Sequence, residues 1–380
     1  MLEPDAIQFF YVKDILMAQA ASARSAATRT STQADSKFQD AVAGWVFMTP
    51  AFLVIFIFLV LPMLAAIFFS LTNWNGIRPL FAGDGSFNAE AFDMVGLENY
   101  QRLLIEDGSR QQAFFTALKN TVYFVLGVVP VQTALALGLA VIVNQRWLKG
   151  KGFFRTAFYF PSISSSVVIS LIFMFLFASN GIINQGIKAI FPAYENITWL
   201  NDATGVIHAL LGAVGITRDT AGGWASTEIA GISLWNWLSG PSVTMLMIMI
   251  LNTWTTIGTM MVIFLSALQN IPGQVYEAAT VDGATAGQTF RKITVPLLRP
   301  TTFFVITLGL IGTFQVFDQI YVISSGGPAD TTLTIAYLVF RSGFDDQRMG
   351  LATATAIVLF IIIFIFTLLQ RRITGGDKAI

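Results

Sequence analysis

The chain has 380 residues, of which 54% are hydrophobic and only 12% charged, with a mean hydropathy of +0.67. Soluble domains carry about twice that share of charge, so an ordinary soluble enzyme is excluded. With 22 basic and 22 acidic residues, no Cys and a single His, the chain has no global field for nucleic acid, no thiol or disulfide chemistry, and little with which to build a His-centred triad or a metal cage.

In chain order, residues 1–41 read as a cytoplasmic, disordered tail. Residues 7–16 (IQFFYVKDIL) are apolar enough to lie on a membrane surface, and 18–36 are rich in Ala, Ser and Thr. Met17 is a candidate translation start in place of Met1. Six apolar stretches are then long enough to cross a bilayer, which takes about 20 residues: 42–71, 117–143, 153–178, 242–267, 301–323 and 349–370. Any one could be a buried core helix, but six in so charge-poor a chain predict an all-α integral membrane protein over 42–372, followed by a short tail, 373–380.

Lys and Arg mark cytoplasmic loops. Arg146, Lys149, Lys151 and Arg155 follow the second span, Arg291, Lys292 and Arg299 follow the fourth, and Arg371 and Arg372 follow the sixth. The loop after the first span has Arg78, Arg102 and Arg110 against six acids. Both termini and the 2–3 and 4–5 loops are therefore predicted inside, with loops 72–116, 179–241 and 324–348 outside. The longest, 179–241, ends in AGGWASTEIAGISLWNWLSGP and is predicted to carry short interfacial helices anchored by Trp235 and Trp237. His208 lies in this loop with no second metal ligand in view, which suits a surface or loop-packing residue.

In the fourth span, Asn252, Thr255, Thr256 and Thr259 recur at helical spacing. Such a polar stripe faces protein or a cavity rather than lipid. It could line a path for a neutral polyol, or it could hydrogen-bond between helices. Trp254 could flank that path or face lipid. In the fifth span, Gly309, Gly312, Thr313 and Val316 form a small-residue face, with Thr313 a candidate for the same path. Phe314, Phe317, Asp318 and Tyr321 form another face. Asp318 is the one acid placed inside a span. It is either functional or bonded to the backbone of the following SSGGP turn.

The cytoplasmic loop 268–300 contains IPGQVYEAATVDGATAGQTFRKITVPLLRP (271–300). Pro272 suits the first turn of a helix and Gly283 its end. A second short helix is predicted over Gly287–Lys292, with Pro296 and Pro300 marking the return to the membrane. The product is a helix–turn–helix hairpin that offers Glu277 and Asp282 to a partner's cations.

The spacing Glu277-Ala278-Ala279, Gly283, Ile293, Pro296 resembles the EAA motif of ABC importer permeases. Further resemblance to the carbohydrate-uptake, MalF-like branch lies in KNT (119–121), FRT (154–156) with Pro161, GIIN (181–184) and FQVFDQIYVISSGGP (314–328). Two features depart from MalF itself: its extra N-terminal spans and its large periplasmic domain have no counterpart here. The 3–4 loop is also longer than in minimal members. The resemblance implies a type I importer permease fold, related to MetI and MalF, with six transmembrane helices. It implies a second homologous permease subunit, an ABC ATPase dimer and an extracytoplasmic solute-binding protein as partners in a bacterial inner membrane. It also implies that Glu277, Ala278, Ala279, Asp282 and Gly283 contact the ATPase. No G-x-x-x-x-G-K-[ST] loop occurs in the chain, so ATP and Mg are expected on the partner ATPase and no cofactor on this chain. An ion-coupled secondary transporter of a neutral solute is the alternative. It would need several intramembrane acids or broken helices, and the sequence shows one acid and no paired broken spans.

Overall fold

The computed structural model describes residues 42–86, 88–145 and 147–374, together with Met17 and Asp40. The expectations for the N-terminal tail and for the last residues of the C-terminal tail therefore lie outside the described residues. So does Arg146. The chain divides into two parts, Met1–Ala65 and Ala66–Ile380.

The first long helix, α1 (Val42–Ser70), begins in the first part and ends in the second. It widens into a π turn over Phe56–Val60, immediately before Pro62. A proline has no N–H to return to the preceding turn, and a π turn is one way for a helix to absorb that loss.

The second part is built on four more long helices: α2 (Ser109–Asn144), α5 (Val243–Gln269), the span Arg299–Ile323, and α10 (Met349–Thr374). Between α2 and α5 lies a pair of shorter helices, α3 (Lys151–Ile163) and α4 (Ser166–Leu176), bent by 98°. Pro161 and the extended Ser164–Ser165 linker explain the break. The sequence reads 153–178 as one span, and in the structure that stretch is bent in its middle. A bonded polar pair (132 with 256) and a close approach (127 with 249) show that α2 and α5 run in the same direction. One return crossing is therefore needed between them, and the bent pair supplies it.

The span Arg299–Ile323 is also interrupted. Helix α8 (Arg299–Phe314) closes, Gln315–Phe317 are non-helical, and α9 (Asp318–Ile323) follows. Two spans are thus interrupted, at Ser164–Ser165 and at Gln315–Phe317. The helical face predicted to run from Phe314 through Phe317 to Tyr321 does not continue across that gap.

Two apolar cores form along the bundle. One holds Phe114, Phe124, Met245, Ile248, Ile320, Leu333 and Ile335 at the end where α2 and α5 begin. The other holds Ala136, Ala140, Met261, Phe264, Leu298 and Val305 at the end where they finish. Close packing of α3 on α5 depends on Gly258, where a Cβ would collide with the Phe158 carbonyl.

The loop 179–241 folds into helices Ile182–Ile190 and Val206–Ala213, a two-stranded hairpin (β1 Glu228–Ile229, β2 Ile232–Ser233) and the turn of helix Leu234–Trp237. Trp235 is buried and stacks on His208 at 4.4 Å, and its carbonyl lies 2.9 Å from His208 Nε2. The indole therefore holds the loop together and is not a headgroup anchor, contrary to the expectation. Trp237 is half-buried, donates from Nε1 to Ile229 O, and its own carbonyl accepts from the Tyr123 hydroxyl.

Candidate functional site

The hairpin after α5 is assembled from local signals. Helix α6 (Gly273–Val281) starts after Pro272. It ends in a left-handed Gly283 (φ +73°), with Gly283 N donating to Thr280 O and Ala284 N to Ala279 O. This paired closure needs a residue that tolerates positive φ, which explains the glycine. Thr285 then caps α7 (Ala286–Thr289): its Oγ1 accepts from Gln288 N and its N donates to Gln288 Oε1. The helix continues as a π turn over Phe290–Thr294. The Tyr276 hydroxyl lies 3.3 Å from Thr294 Oγ1, across the two arms.

Glu277, Ala278, Asp282 and Gly283 are exposed on this hairpin, whereas Ala279 is buried. Among the described residues, neither carboxylate pairs with a cation. Val281, which the sequence reading passed over, is 88% exposed between them. Its signal in the sequence was an apolar residue set directly before the Asp-Gly stop.

The polar stripe on α5 is divided in the structure. Thr256 Oγ1 lies 2.7 Å from Gln132 Oε1 on α2, and 2.8 Å from Asn252 O on its own helix. Asn252 Nδ2 donates to Gln319 Oε1 on α9 (3.1 Å), and Gln319 Nε2 donates to Thr255 Oγ1 (3.4 Å). Asn252, Thr255 and Thr256 thus meet two glutamines from other helices. Thr259 is exposed, and its backbone N–H donates to Ser162 Oγ at 3.2 Å. Thr313 stays outside the network: it is buried and its hydroxyl bonds to Gly309 O of its own helix.

Gln132 and Gln319 were missed. Each is an amide inside an apolar run, and that alone could have marked them, because polar groups in hydrocarbon need partners. Gln132 is 1% exposed, and its Nε2 has no hydrogen-bond partner among the described residues. The same holds for Asn252 Oδ1. The Gln132 Nε2 donors and the Asn252 Oδ1 acceptor, with the neighbouring Thr133 hydroxyl, therefore remain unpartnered in the middle of the bundle. Gly309 abuts the Gln132 amide so closely that a Cβ there would clash with it.

Asp318 is exposed in the first turn of α9 and makes no bond to the SSGGP turn. That turn is held instead by Thr332, whose hydroxyl contacts Gly327 O and Ser324 Oγ, each at 2.7 Å. The polar positions of the KNT segment have a structural use. Asn120 Nδ2 donates to Asp330 O and Leu333 O, and Thr121 Oγ1 accepts from Ile335 N. Asn184 of GIIN is buried among Ser179 O, Ile197 O, the Tyr194 hydroxyl and Trp199 Nε1.

Residues 132–375 match the family model of the binding-protein-dependent transport system inner membrane component. This chain belongs to that family. The permease is 30% identical to the lactose transport system permease protein LacF of Rhizobium radiobacter over 344 residues, covering 90% of this chain and 96% of the relative. It is 32% identical to the probable ABC transporter permease YesP of Bacillus subtilis over 334 residues, covering 87% and 90%. It is 28% identical to the trehalose/maltose transport system permease MalF of Thermococcus litoralis over 337 residues, covering 89% and 95%. Its fold resembles that of a bacterial ABC transporter involved in import of alginate, with TM-score 0.64 at 19% identity, covering 90% of this chain and 99% of that one. The permease is a multi-pass membrane protein with a type I importer fold.

Proposed function

We propose that this chain is one transmembrane subunit of an ATP-driven carbohydrate importer, and that the α6–α7 hairpin is where a separate ATPase acts on it. The observation that carries this reading is the hairpin itself. Glu277 and Asp282 are exposed and unpaired, Val281 projects between them, and the turn is fixed by a left-handed Gly283. The relatives named above for lactose and trehalose/maltose support a sugar as cargo.

In this reading Glu277, Ala278, Asp282 and Gly283 present the docking surface, with Ala279 packed behind it. ATP and Mg belong to the ATPase dimer, and a solute-binding protein delivers sugar at the opposite end. A second permease of similar fold completes the pathway. Hairpin and termini are cytoplasmic in this arrangement, following the Lys and Arg distribution. The amides and hydroxyls of Gln132, Asn252, Thr255, Thr256 and Thr259 supply a neutral polar path. The free Gln132 Nε2 and Asn252 Oδ1 suit a substrate hydroxyl, which both accepts and donates. Closure of the ATPase dimer would move the hairpin and tilt the bundle between two states that expose this path to opposite sides.

The test is uptake of labelled sugar by proteoliposomes holding the permease pair, the ATPase and the binding protein. Uptake that needs ATP and the ATPase supports the reading. Uptake driven by an ion gradient without ATP overturns it.

A further inference from the structure

At the end of the bundle opposite the hairpin lies a cavity of about 810 Å³, walled by the start of α2, the 203–239 loop and the segment 329–351. Its charge is uneven. Four cations line it, Arg110, Lys119, Arg341 and Arg348, against two acids, Asp330 and Asp346. Arg341 is engaged by Asp330, at 2.9 Å. Among the described residues Arg110, Lys119 and Arg348 have no carboxylate within ion-pair distance. Burial disfavours the Arg110 charge, Arg348 and Arg102 add repulsion, and Glu106 and Glu98 offset part of it.

Lys119 is half-buried, and its Nζ donates to a single backbone carbonyl, Asn236 O, at 3.2 Å. An ammonium has three donors, so two remain for a ligand. Its neighbours Asn120 and Thr121 are tied to the 330–335 segment, which fixes the stretch of α2 from which Lys119 projects.

A neutral sugar needs none of this charge. Three unpaired cations line one open cavity, and an anion there relieves the repulsion between Arg110 and Arg348. The volume lies in the range of small-molecule sites. The uncharged part of the wall includes Gln112, Thr116, Asn236 and Ser239, which suit hydroxyl groups better than an acyl chain.

We propose that this cavity is an entry site selecting anionic saccharides of one or two rings, carrying a carboxylate or a phosphate, with Arg110, Lys119 and Arg348 as the selecting groups. The proposal rests on the importer reading and names the substrate class within it.

The test is saturation-transfer NMR on the assembled transporter in nanodiscs, with digalacturonate, glucose 6-phosphate, maltose and inorganic phosphate as probes. Transfer to digalacturonate or glucose 6-phosphate is expected to exceed that to maltose severalfold. It should fall to the maltose level in Arg110→Gln/Lys119→Gln/Arg348→Gln. The two charged sugars tell carboxylate from phosphate preference. Equal transfer to maltose overturns the proposal, as does undiminished transfer in the triple variant. Complete displacement by an equal concentration of inorganic phosphate also overturns it, since the site would then hold a bare anion and no sugar. Should the triple variant fail to assemble, Arg348→Gln alone, at an exposed position, is compared with wild type in low and high salt. Its signal must be weaker and less salt-dependent, and an unchanged salt response overturns the proposal. ATP hydrolysis and ATP-driven uptake are measured on the same preparation. Intact ATP coupling without a preference for charged sugars defeats this inference alone, whereas absent ATP coupling defeats the importer reading.

Discussion

The two ends of the permease close their backbone by different means, and both leave charged side chains without an ion pair among the described residues. At the end carrying the 324–348 and 179–241 loops, side-chain amides and hydroxyls are tied inward. Asn120 holds two carbonyls, Thr332 holds the SSGGP turn, and Asn184 collects five partners. At the hairpin end the backbone is closed just as carefully, by Gly283 and the Thr285–Gln288 box, but the charged side chains are left free. A polar group that is buried and bonded explains its own position. One that is exposed on a rigid support, without a partner in its own chain, points to another molecule.

That contrast can be broken by experiment. The largest effect is expected from Glu277→Lys. Reversing a docking charge should weaken ATPase binding by about 2 kcal/mol or more, beyond tenfold, with the permease still inserted and folded. Co-purification of the ATPase and ATP-driven uptake check this, and undiminished binding would make Glu277 an ordinary solvated residue. Next is Asn120→Ala, which strands the buried Leu333 carbonyl and the part-buried Asp330 carbonyl and should cost about 1–3 kcal/mol. It would be read as a lower melting temperature and faster amide exchange over residues 330–335, with ATPase binding retained. Third is Gly258→Ala, where the new Cβ meets the Phe158 carbonyl. A loss of about 1–3 kcal/mol is expected from overpacking, checked by thermal melting in detergent. The smallest is Thr285→Ala, which removes one cap for about 1 kcal/mol. It should loosen α7 in hydrogen exchange without disturbing the outer end.

Much of this was legible in the sequence, for reasons that differ by element. The long spans follow from hydropathy. The hairpin follows from Pro272, the EAA spacing and Gly283, because turn and cap chemistry is local. The breaks at Ser164–Ser165 and at Gln315–Phe317 were not legible, although Pro161 lay in view. Each break is stabilised by partners distant in sequence: Ser162 meets Thr259, and the hydroxyl of Thr334 bonds Val316 O. Gln132 and Gln319 escaped because a helical stripe drawn on α5 alone does not show what it faces. Asp318 drew notice as the only acid in its span, yet the neighbouring Gln319 makes the interhelical bonds, since the interruption before α9 changes which side chain turns inward.

Helix α2 carries Lys119 at the outer cavity and Gln132 in the middle of the bundle on one continuous stretch. Thirteen residues of α-helix set those two side chains about 20 Å apart along the axis. The spacing is covalent and does not depend on how the loops move. A cargo of one or two rings is too short to span it, so such a cargo must leave the first station before it reaches the second. The helix is in effect a ruler that makes passage a succession of separate occupancies.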